Sequence, residues 1–121
     1  MDIRKTNKNN IDIAVVDSED TLITDGSTAL DLFATLQYDS GCDRFVLKQS
    51  HFAREFFDLK TGLAGEVLQK IVNYRMKLAI VGDFSIYSSK SLSDFIYEIN
   101  SGRDVFFLTT EEEAINRLTN I

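Results

Sequence analysis

Short runs of apolar residues recur along the chain, and polar or glycine-containing segments separate them. Runs that predict strands lie at residues 11–16, 44–47, 78–81 and 105–108. The last three runs are nearly uninterrupted, which is typical of strands covered on both faces, as in a parallel sheet. Residues 21–24 follow a polar turn and are expected to pair with residues 11–16 as a hairpin. The pattern therefore predicts five strands.

Apolar residues spaced three and four apart predict helices between these strands. The four stripes are Leu30, Phe33 and Ala34; Ala64, Val67, Leu68, Ile71 and Val72; Leu92, Phe95, Ile96 and Ile99; and Ile115 with Leu118. Gly41 is placed to end the first helix and Thr110 to cap the last. A shorter helix is expected within residues 50–59. Ile71 lies on the most regular stripe and is expected to be buried against the sheet.

The order of the predicted elements is β-β-α-β-(short α)-α-β-α-β-α. Repeated alternation of strands and helices implies parallel strands joined by right-handed crossovers, and the opening hairpin adds an antiparallel pair. We therefore expect one α/β domain over residues 11–121, built on a mixed, mostly parallel five-stranded sheet with about four main helices. Residues 78–81 should form its central strand. Residues 1–10 are polar and are expected to be a flexible N-terminus.

Length and charge narrow the classes of protein. A chain of 121 residues suits one domain, and its formal net charge is −6. Such a surface, with no basic patch in the sequence, repels nucleic acid and anionic membranes, so we expect neither as a partner. No run approaches the ~18 apolar residues of a membrane helix. Cys42 is the only cysteine, which excludes a disulfide within the chain and favours a cytoplasmic protein.

Neither a metal site nor a bound cofactor is expected. His51 is the only histidine, so a zinc site lacks ligands. A pair of Cys42 with His51 is one candidate for a reactive thiol, and a plain buried or surface thiol is the simpler interpretation. Residues 61–65 contain two glycines, but the segment is too short and wrongly spaced for a phosphate-binding or dinucleotide-binding loop.

In open α/β sheets, ligands bind beyond the carboxyl ends of the strands, where the helices begin. The candidate binding or switch residues expected there are Lys60, Thr61, Gly62, Asp83, Phe84 and Ser89. Amides at helix starts favour anions and Lys60 adds positive charge, so a small anion is a candidate ligand. The simpler interpretation is that Thr61 and Ser89 only cap helices. Phe84 is a candidate to line a pocket or an interface.

Asp83 follows a buried strand and a glycine, a place where catalytic carboxylates are often found. If Glu66, one turn into its helix, faces Asp83, the pair could perform acid–base chemistry or hold a divalent cation. The alternative is that Asp83 caps a turn and that Glu66 is solvated, or favours its helix start electrostatically. The sequence leaves both interpretations open.

Three strings of residues resemble a known family. They are FFDLKTGLAGEVLQK at residues 56–70, KLAIVGDF at 77–84 and SLSDFIYEIN at 91–100. Together they resemble an uncharacterised bacterial family classed as a domain of unknown function, and the resemblance extends over nearly the whole chain after residue 10. It implies no particular activity.

The order of elements also resembles the sulfate-transporter and anti-sigma-factor-antagonist (STAS) domain. STAS domains carry an Asp-Ser-Ser-Gly loop between the third strand and the second helix, and the serine before the glycine is a phosphorylation switch for partner binding. Here that loop reads Leu59-Lys60-Thr61-Gly62. Thr61 matches the switch serine and Gly62 the glycine, whereas Leu59 and Lys60 depart from the pattern and Asp58 stands one position early. The resemblance implies a STAS-like fold.

Two functions of different classes follow. The first is a STAS-like regulatory module that binds a partner protein through the Thr61 loop. The alternative is a small-molecule-binding protein or enzyme that uses a strand-end cluster around Asp83, with Lys60, Thr61 and Ser89; a homo-oligomeric structural protein is a third interpretation. A partner module should have a shallow surface with Leu63 or Phe84 exposed, whereas an enzyme should have a deep pocket that contains Asp83.

Overall fold

The sheet has five strands and is mixed. The computed structural model describes all of residues 1–121. The strands are β1 (Asp2–Lys8), β2 (Ile11–Asp17), β3 (Arg44–Lys48), β4 (Lys77–Val81) and β5 (Val105–Leu108). They lie side by side in the order β1-β2-β3-β4-β5, with β1 antiparallel to β2 and each later pair parallel. The predicted α/β class and mixed five-stranded sheet are confirmed, but β3, rather than residues 78–81, is central.

The N-terminal segment is a strand, so the expectation of a flexible tail over residues 1–10 was wrong. Asp2–Lys8 pairs with β2 along its whole length. Asn9 and Asn10, both at positive φ (55° and 64°), form the two-residue turn, a conformation that asparagine tolerates.

The predicted hairpin partner at residues 21–24 is also wrong. Because β1 and β3 flank β2, that segment contributes only one bridge, between Ile23 and Phe52.

Helices cover both faces of the sheet, and the four predicted helices are confirmed. They are α1 (Gly26–Ser40), α2 (Leu63–Asn73), α3 (Lys90–Asn100) and α4 (Glu111–Leu118). The first three share one apolar cluster with one face of the sheet, and α4 covers the other face through Ala114 and Leu118. Ile71 is fully buried, as predicted. Coverage on both faces explains why the strand sequences are nearly continuous apolar runs.

The helix ends follow the sequence signals. Asp25 caps α1, accepting a hydrogen bond from the Thr28 amide, and Gly41 ends that helix at φ 72°. The Thr110 hydroxyl caps α4 by accepting a hydrogen bond from the Glu113 amide at 3.1 Å. The single short helix expected within residues 50–59 is instead a series of 3₁₀ turns at Gln49–His51, Arg54–Phe57 and Leu59–Thr61.

The outer edge of β5 is closed by a side chain of α3. The Asn100 amide nitrogen donates to the Phe107 carbonyl at 3.0 Å, and its amide oxygen accepts from the Phe107 amide at 2.7 Å. Arg117 of α4 donates to the Asn100 carbonyl at 3.0 Å and lies 4.8 Å above the ring of Phe106. Asn100 therefore forms the two hydrogen bonds that a further strand would form there.

Candidate functional site

The loops beyond the carboxyl ends of β3 and β4 carry all the predicted site residues. The first loop joins β3 to α2 and includes Lys60, Thr61 and Gly62. The second joins β4 to α3 and includes Asp83, Phe84 and Ser89. The parallel direction of β3 and β4 puts both loops at one edge of the sheet, where α/β proteins bind their ligands.

Thr61 is exposed, and its hydroxyl joins two turns of its own loop. Its Oγ1 lies 2.6 Å from the Glu55 carbonyl and 2.8 Å from the Asp58 carbonyl, and it accepts a hydrogen bond from the Leu63 amide at 3.3 Å. The N-cap of α2 is Gly62, at φ 79°, a conformation that glycine adopts without steric cost. The hydroxyl therefore holds the loop that leads into α2, in addition to contacting that helix.

Lys60 is exposed and takes part in no ion pair. Its amide donates to the Asp58 carboxylate at 3.3 Å. Leu63, whose exposure would have marked a shallow binding surface, is buried. The exposed residues of this loop before α2 thus include Lys60 and Thr61, together with Arg54, Glu55, Asp58 and Gly62.

Asp83 caps a turn. Its Oδ1 accepts hydrogen bonds from the Ser85 hydroxyl at 2.5 Å and from the Ser85 amide at 3.1 Å. These bonds hold the pKa of the Asp83 carboxyl below its usual range, since they stabilise the charged form. An exposed carboxylate with a depressed pKa is ionised at neutral pH, so it is a poor general acid.

Glu66 is engaged elsewhere, so the hypothesis of an Asp83–Glu66 pair was wrong. The Glu66 side chain lies directly against Gly26 at the start of α1, so closely that a Cβ on Gly26 would be 1.8 Å from Glu66 Oε1. No group of three or more histidine, cysteine, aspartate or glutamate side chains has the geometry of a metal site. The carboxylates of this edge thus act in turns and helix starts.

Phe84 and Ser89 line a shallow groove between the β4–α3 loop and helix α3. The groove has a volume of about 230 Å³, and its lining is Phe84, Ser85, Tyr87, Ser89, Leu92, Ser93 and Ile96. Ser89 caps α3, its hydroxyl accepting from the Leu92 amide at 3.1 Å. Asp83 does not line this groove, and neither does any residue of the Thr61 loop.

Aromatic rings fill the space between the two loops. Phe57 stacks on Tyr87 with ring centroids 5.0 Å apart and lies 6.1 Å from Phe84. Phe84 meets Phe107 edge to face at 5.3 Å, and Phe56 is fully buried beside them. The protein's own side chains therefore occupy the crevice in which α/β proteins usually bind ligands. Asp83 does not lie in a deep pocket.

Gln49, which follows β3 and was expected at this edge of the sheet, and His51, which was not, connect the loops of this region. Gln49 accepts a hydrogen bond from the Asp83 amide at 2.9 Å and donates to the Tyr87 hydroxyl at 2.7 Å. His51 is fully buried, accepts from the Lys48 amide at 2.9 Å and lies 3.0 Å from the Ser18 carbonyl. The position of Gln49 and His51 shortly after the apolar run at residues 44–47 was the only sequence signal for these two residues.

Cys42 and His51 do not form a dyad. Cys42 is buried just before β3, and His51 follows the end of that strand. The five residues of β3, Arg44–Lys48, lie between them, and a strand rises about 3.3 Å per residue. Cys42 is thus a plain buried thiol, the simpler of the two interpretations.

The fold and these loops define a small α/β protein with a mixed sheet and a closed strand-end crevice. The chain belongs to the family described as "Domain of unknown function (DUF4180)", whose model matches residues 8–118. This match confirms the resemblance to an uncharacterised family. No curated protein and no solved structure matches the chain. None of its helices is both long and apolar enough to cross a membrane.

Proposed function

We propose that this protein is a STAS-like regulatory module in the cytoplasm that binds a partner protein, and that modification of Thr61 switches the binding. The observation that carries the proposal is Thr61, an exposed residue with a hydroxyl group, directly before Gly62 and α2. The resemblance to STAS domains aligns this position with a phosphorylated serine. The strand and helix order, with α2 following the third strand, is compatible with that alignment.

The hydrogen bonds of Thr61 give the switch a physical basis. Thr61 has a single hydroxyl hydrogen to donate, and it serves the carbonyl of Glu55 or of Asp58. A phosphoryl group on Oγ1 removes that hydrogen and adds about −1.5 to −2 charges. The new charge lies on the residue after Lys60, which forms no ion pair, and on an oxygen that contacts the backbone carbonyls of Glu55 and Asp58. Modification therefore changes both the shape and the charge of the surface.

A binding module fits this edge better than an enzyme does. The aromatic rings of Phe57, Phe84 and Tyr87 close the strand-end crevice, and the carboxylate of Asp83 is engaged by Ser85. A reaction would require a site into which both a substrate and a catalytic group can reach. A shallow surface beside the Thr61 loop is sufficient for a protein partner.

The switch is tested by affinity capture from native lysate with wild type, Thr61→Glu and Thr61→Val. We expect Thr61→Glu to fold and to lose a partner that wild type captures. Thr61→Val keeps the shape of threonine without the hydroxyl, so it is the control for loss of hydrogen bonding, and it should retain the partner. Both variants should lose about 0.5–1.5 kcal/mol of stability in urea.

Two results would change this proposal. If Thr61→Glu captures the same partners as wild type, Thr61 is a structural hydroxyl and not a switch. If Thr61→Val loses the partner as well, the hydrogen bonds of the loop, rather than added charge, control binding. Light scattering on the same samples shows whether the captured partner is a second copy of the chain.

The groove beside Phe84 and Ser89 supports the alternative of small-molecule binding. It combines an apolar floor with several hydroxyl groups, the composition that small ligands prefer. A thermal-shift screen of metabolites and small anions against wild type and Ser93→Phe tests it, because the added ring fills the groove. A ligand that stabilises wild type but not Ser93→Phe would favour this function.

A further inference from the structure

His51 joins the loop after β3 to the loop after β2 through both its ring and its backbone. The ring contacts the Lys48 amide and the Ser18 carbonyl. The His51 carbonyl accepts hydrogen bonds from the amides of Leu22 (2.8 Å) and Ile23 (2.9 Å). We call these contacts the histidine clasp. It lies at the strand-end edge of the sheet but takes no part in the proposed switch at Thr61.

The partners of the ring fix its protonation state. The Lys48 amide can only donate, so Nδ1 must carry a lone pair, and the Ser18 carbonyl can only accept, so Nε2 must carry the hydrogen. The folded clasp therefore requires the neutral imidazole. A proton on Nδ1 would turn the 2.9 Å hydrogen bond from Lys48 into a contact between two N–H groups, and would put a charge on a fully buried side chain.

The charged groups around the clasp do not offset that cost. Lys48 is on β3 and Asp17 on β2, and their charges act on the ring in opposite directions. Asp17 is already bound by Arg4 of β1 at 2.6 Å and lies 4.0 Å from the Lys48 ammonium. Arg4 also binds Glu111 of α4 at 2.7 Å. The carboxylate nearest to the ring is thus shared between two cations.

Burial is the largest cause that lowers the pKa of His51 below its ordinary value, and the charge of Lys48 lowers it further. The hydrogen bond to Ser18 and the charge of Asp17 raise it and only partly compensate. Glu19 and Asp20, which follow Ser18, are exposed to solvent, where their charges are screened.

We propose that the histidine clasp is a proton-sensitive latch: protonation of His51 releases the segment that contains Leu22 and Ile23 from the loop after β3, while the sheet remains folded. The release exposes Phe52, which is bridged to Ile23 and buried in the closed clasp. Mild acid thereby uncovers an apolar surface formed by Ile23 and by Phe52, which belongs to the loop that carries Thr61. The latch is independent of the proposed switch, because its hydrogen bonds do not involve Thr61.

The sign of the pH dependence follows from linkage. The open clasp has an ordinary histidine pKa of about 6.5, and the closed clasp a lower one. Opening therefore takes up a proton between these two values. In this range each unit of decreasing pH raises the opening equilibrium constant by up to about tenfold, and the effect levels off below the pKa of the closed clasp.

The test uses nuclear magnetic resonance of the wild-type chain between about pH 7.5 and 4.5. His51 is the only histidine, so its ring C–H signals are unambiguous. Amide exchange is measured at Lys48, Leu22 and Ile23, and at Leu78 of β4, whose amide donates to the Asp104 carbonyl at 2.9 Å and reports on the sheet. We expect lower protection factors at the three clasp amides than at Leu78, falling as His51 takes up its proton. Equal protection at all four amides would mean that only global unfolding frees His51, and would overturn the latch.

Paired charge variants test the same device from two directions. Lys48→Met removes a positive charge that lowers the His51 pKa in the closed clasp, so the gap to the open value narrows and acid should open the clasp less. Asp17→Asn removes a negative charge that raises that pKa, so the gap widens and acid should open the clasp more. His51→Gln cannot take up a proton in this range, so the protection of its clasp amides should not depend on pH. The latch is disproved if the ring signals shift in these variants while clasp protection does not follow them.

Discussion

At the scale of single residues, the polar side chains that organise the strand-end loops are those that bind backbone groups of another loop. Gln49 is the clearest case, since its amide contacts both the Asp83 amide and the Tyr87 hydroxyl. Gly82 leaves room for the Gln49 side chain, because a Cβ on residue 82 would lie 2.3 Å from Gln49 Oε1. A residue without a side chain is thus needed at position 82 for a reason of space.

Replacement of Gly82 tests that account. Gly82→Ala should displace Gln49 and break its hydrogen bonds to the Asp83 amide and the Tyr87 hydroxyl, with a loss of about 1–3 kcal/mol of unfolding free energy in a urea titration. Gly65→Ala is the matched control: it lies within α2 with open space around its Cα, and it should gain about 0.5–1 kcal/mol. Equal midpoints for the two variants would show that Gln49 adapts without cost.

At the scale of elements, the two edges of the sheet are protected in different ways. The edge strand β1 carries Arg4, Lys5 and Lys8, and charged side chains discourage pairing with another chain. The edge strand β5 is apolar throughout, with the sequence VFFL, and relies on Asn100 to occupy the backbone groups of Phe107. Asn100, the last residue of α3, therefore also satisfies the outward-facing amide and carbonyl of Phe107 in β5.

Loss of the Asn100 side chain should expose the β5 edge. Asn100→Leu keeps a similar volume but leaves the amide and carbonyl of Phe107 without their partner, which should cost about 1–3 kcal/mol. It should also increase concentration-dependent association, measured by light scattering. Asn73→Leu, at the exposed end of α2, is the control for the change in chemistry alone. Association equal in the two variants would show that Asn100 does not protect the edge.

At the scale of the whole molecule, the chain is acidic and part of its positive charge is already neutralised. Its formal net charge is −6, from 19 acidic and 13 basic side chains. The basic residues that form ion pairs with carboxylates are Arg4, Lys5, Lys48, Lys77 and Lys90. Less positive charge is thus free to meet a phosphate backbone than the composition suggests.

We expect no binding of duplex DNA or RNA that survives physiological ionic strength. Binding of this kind depends on the release of counterions by free lysine and arginine side chains, and an acidic surface opposes it. Fluorescence anisotropy with a labelled duplex at about 150 mM salt measures it, with the same titration at low salt as the control. A micromolar dissociation constant at the higher salt concentration would contradict this expectation.

The sequence alone determined the four helices, the four strands β2 to β5 and the burial of residues such as Ile71. These features depend on apolar periodicity, which is local and repeated over many residues, so a single misread position does not change the result. It also determined the end of α1 at Gly41 and the cap of α4 at Thr110, because each is set by contacts within one turn.

Only the tertiary structure decided the role of the N-terminal segment and of the strand-end side chains. Residues 2–8 are polar, and they become a strand because β2 offers a free edge to pair with. Gln49 meets Asp83 across 34 positions of sequence, and His51 meets Ser18 across 33. No local pattern encodes contacts of that separation, because they form only when the sheet brings the ends of neighbouring strands together.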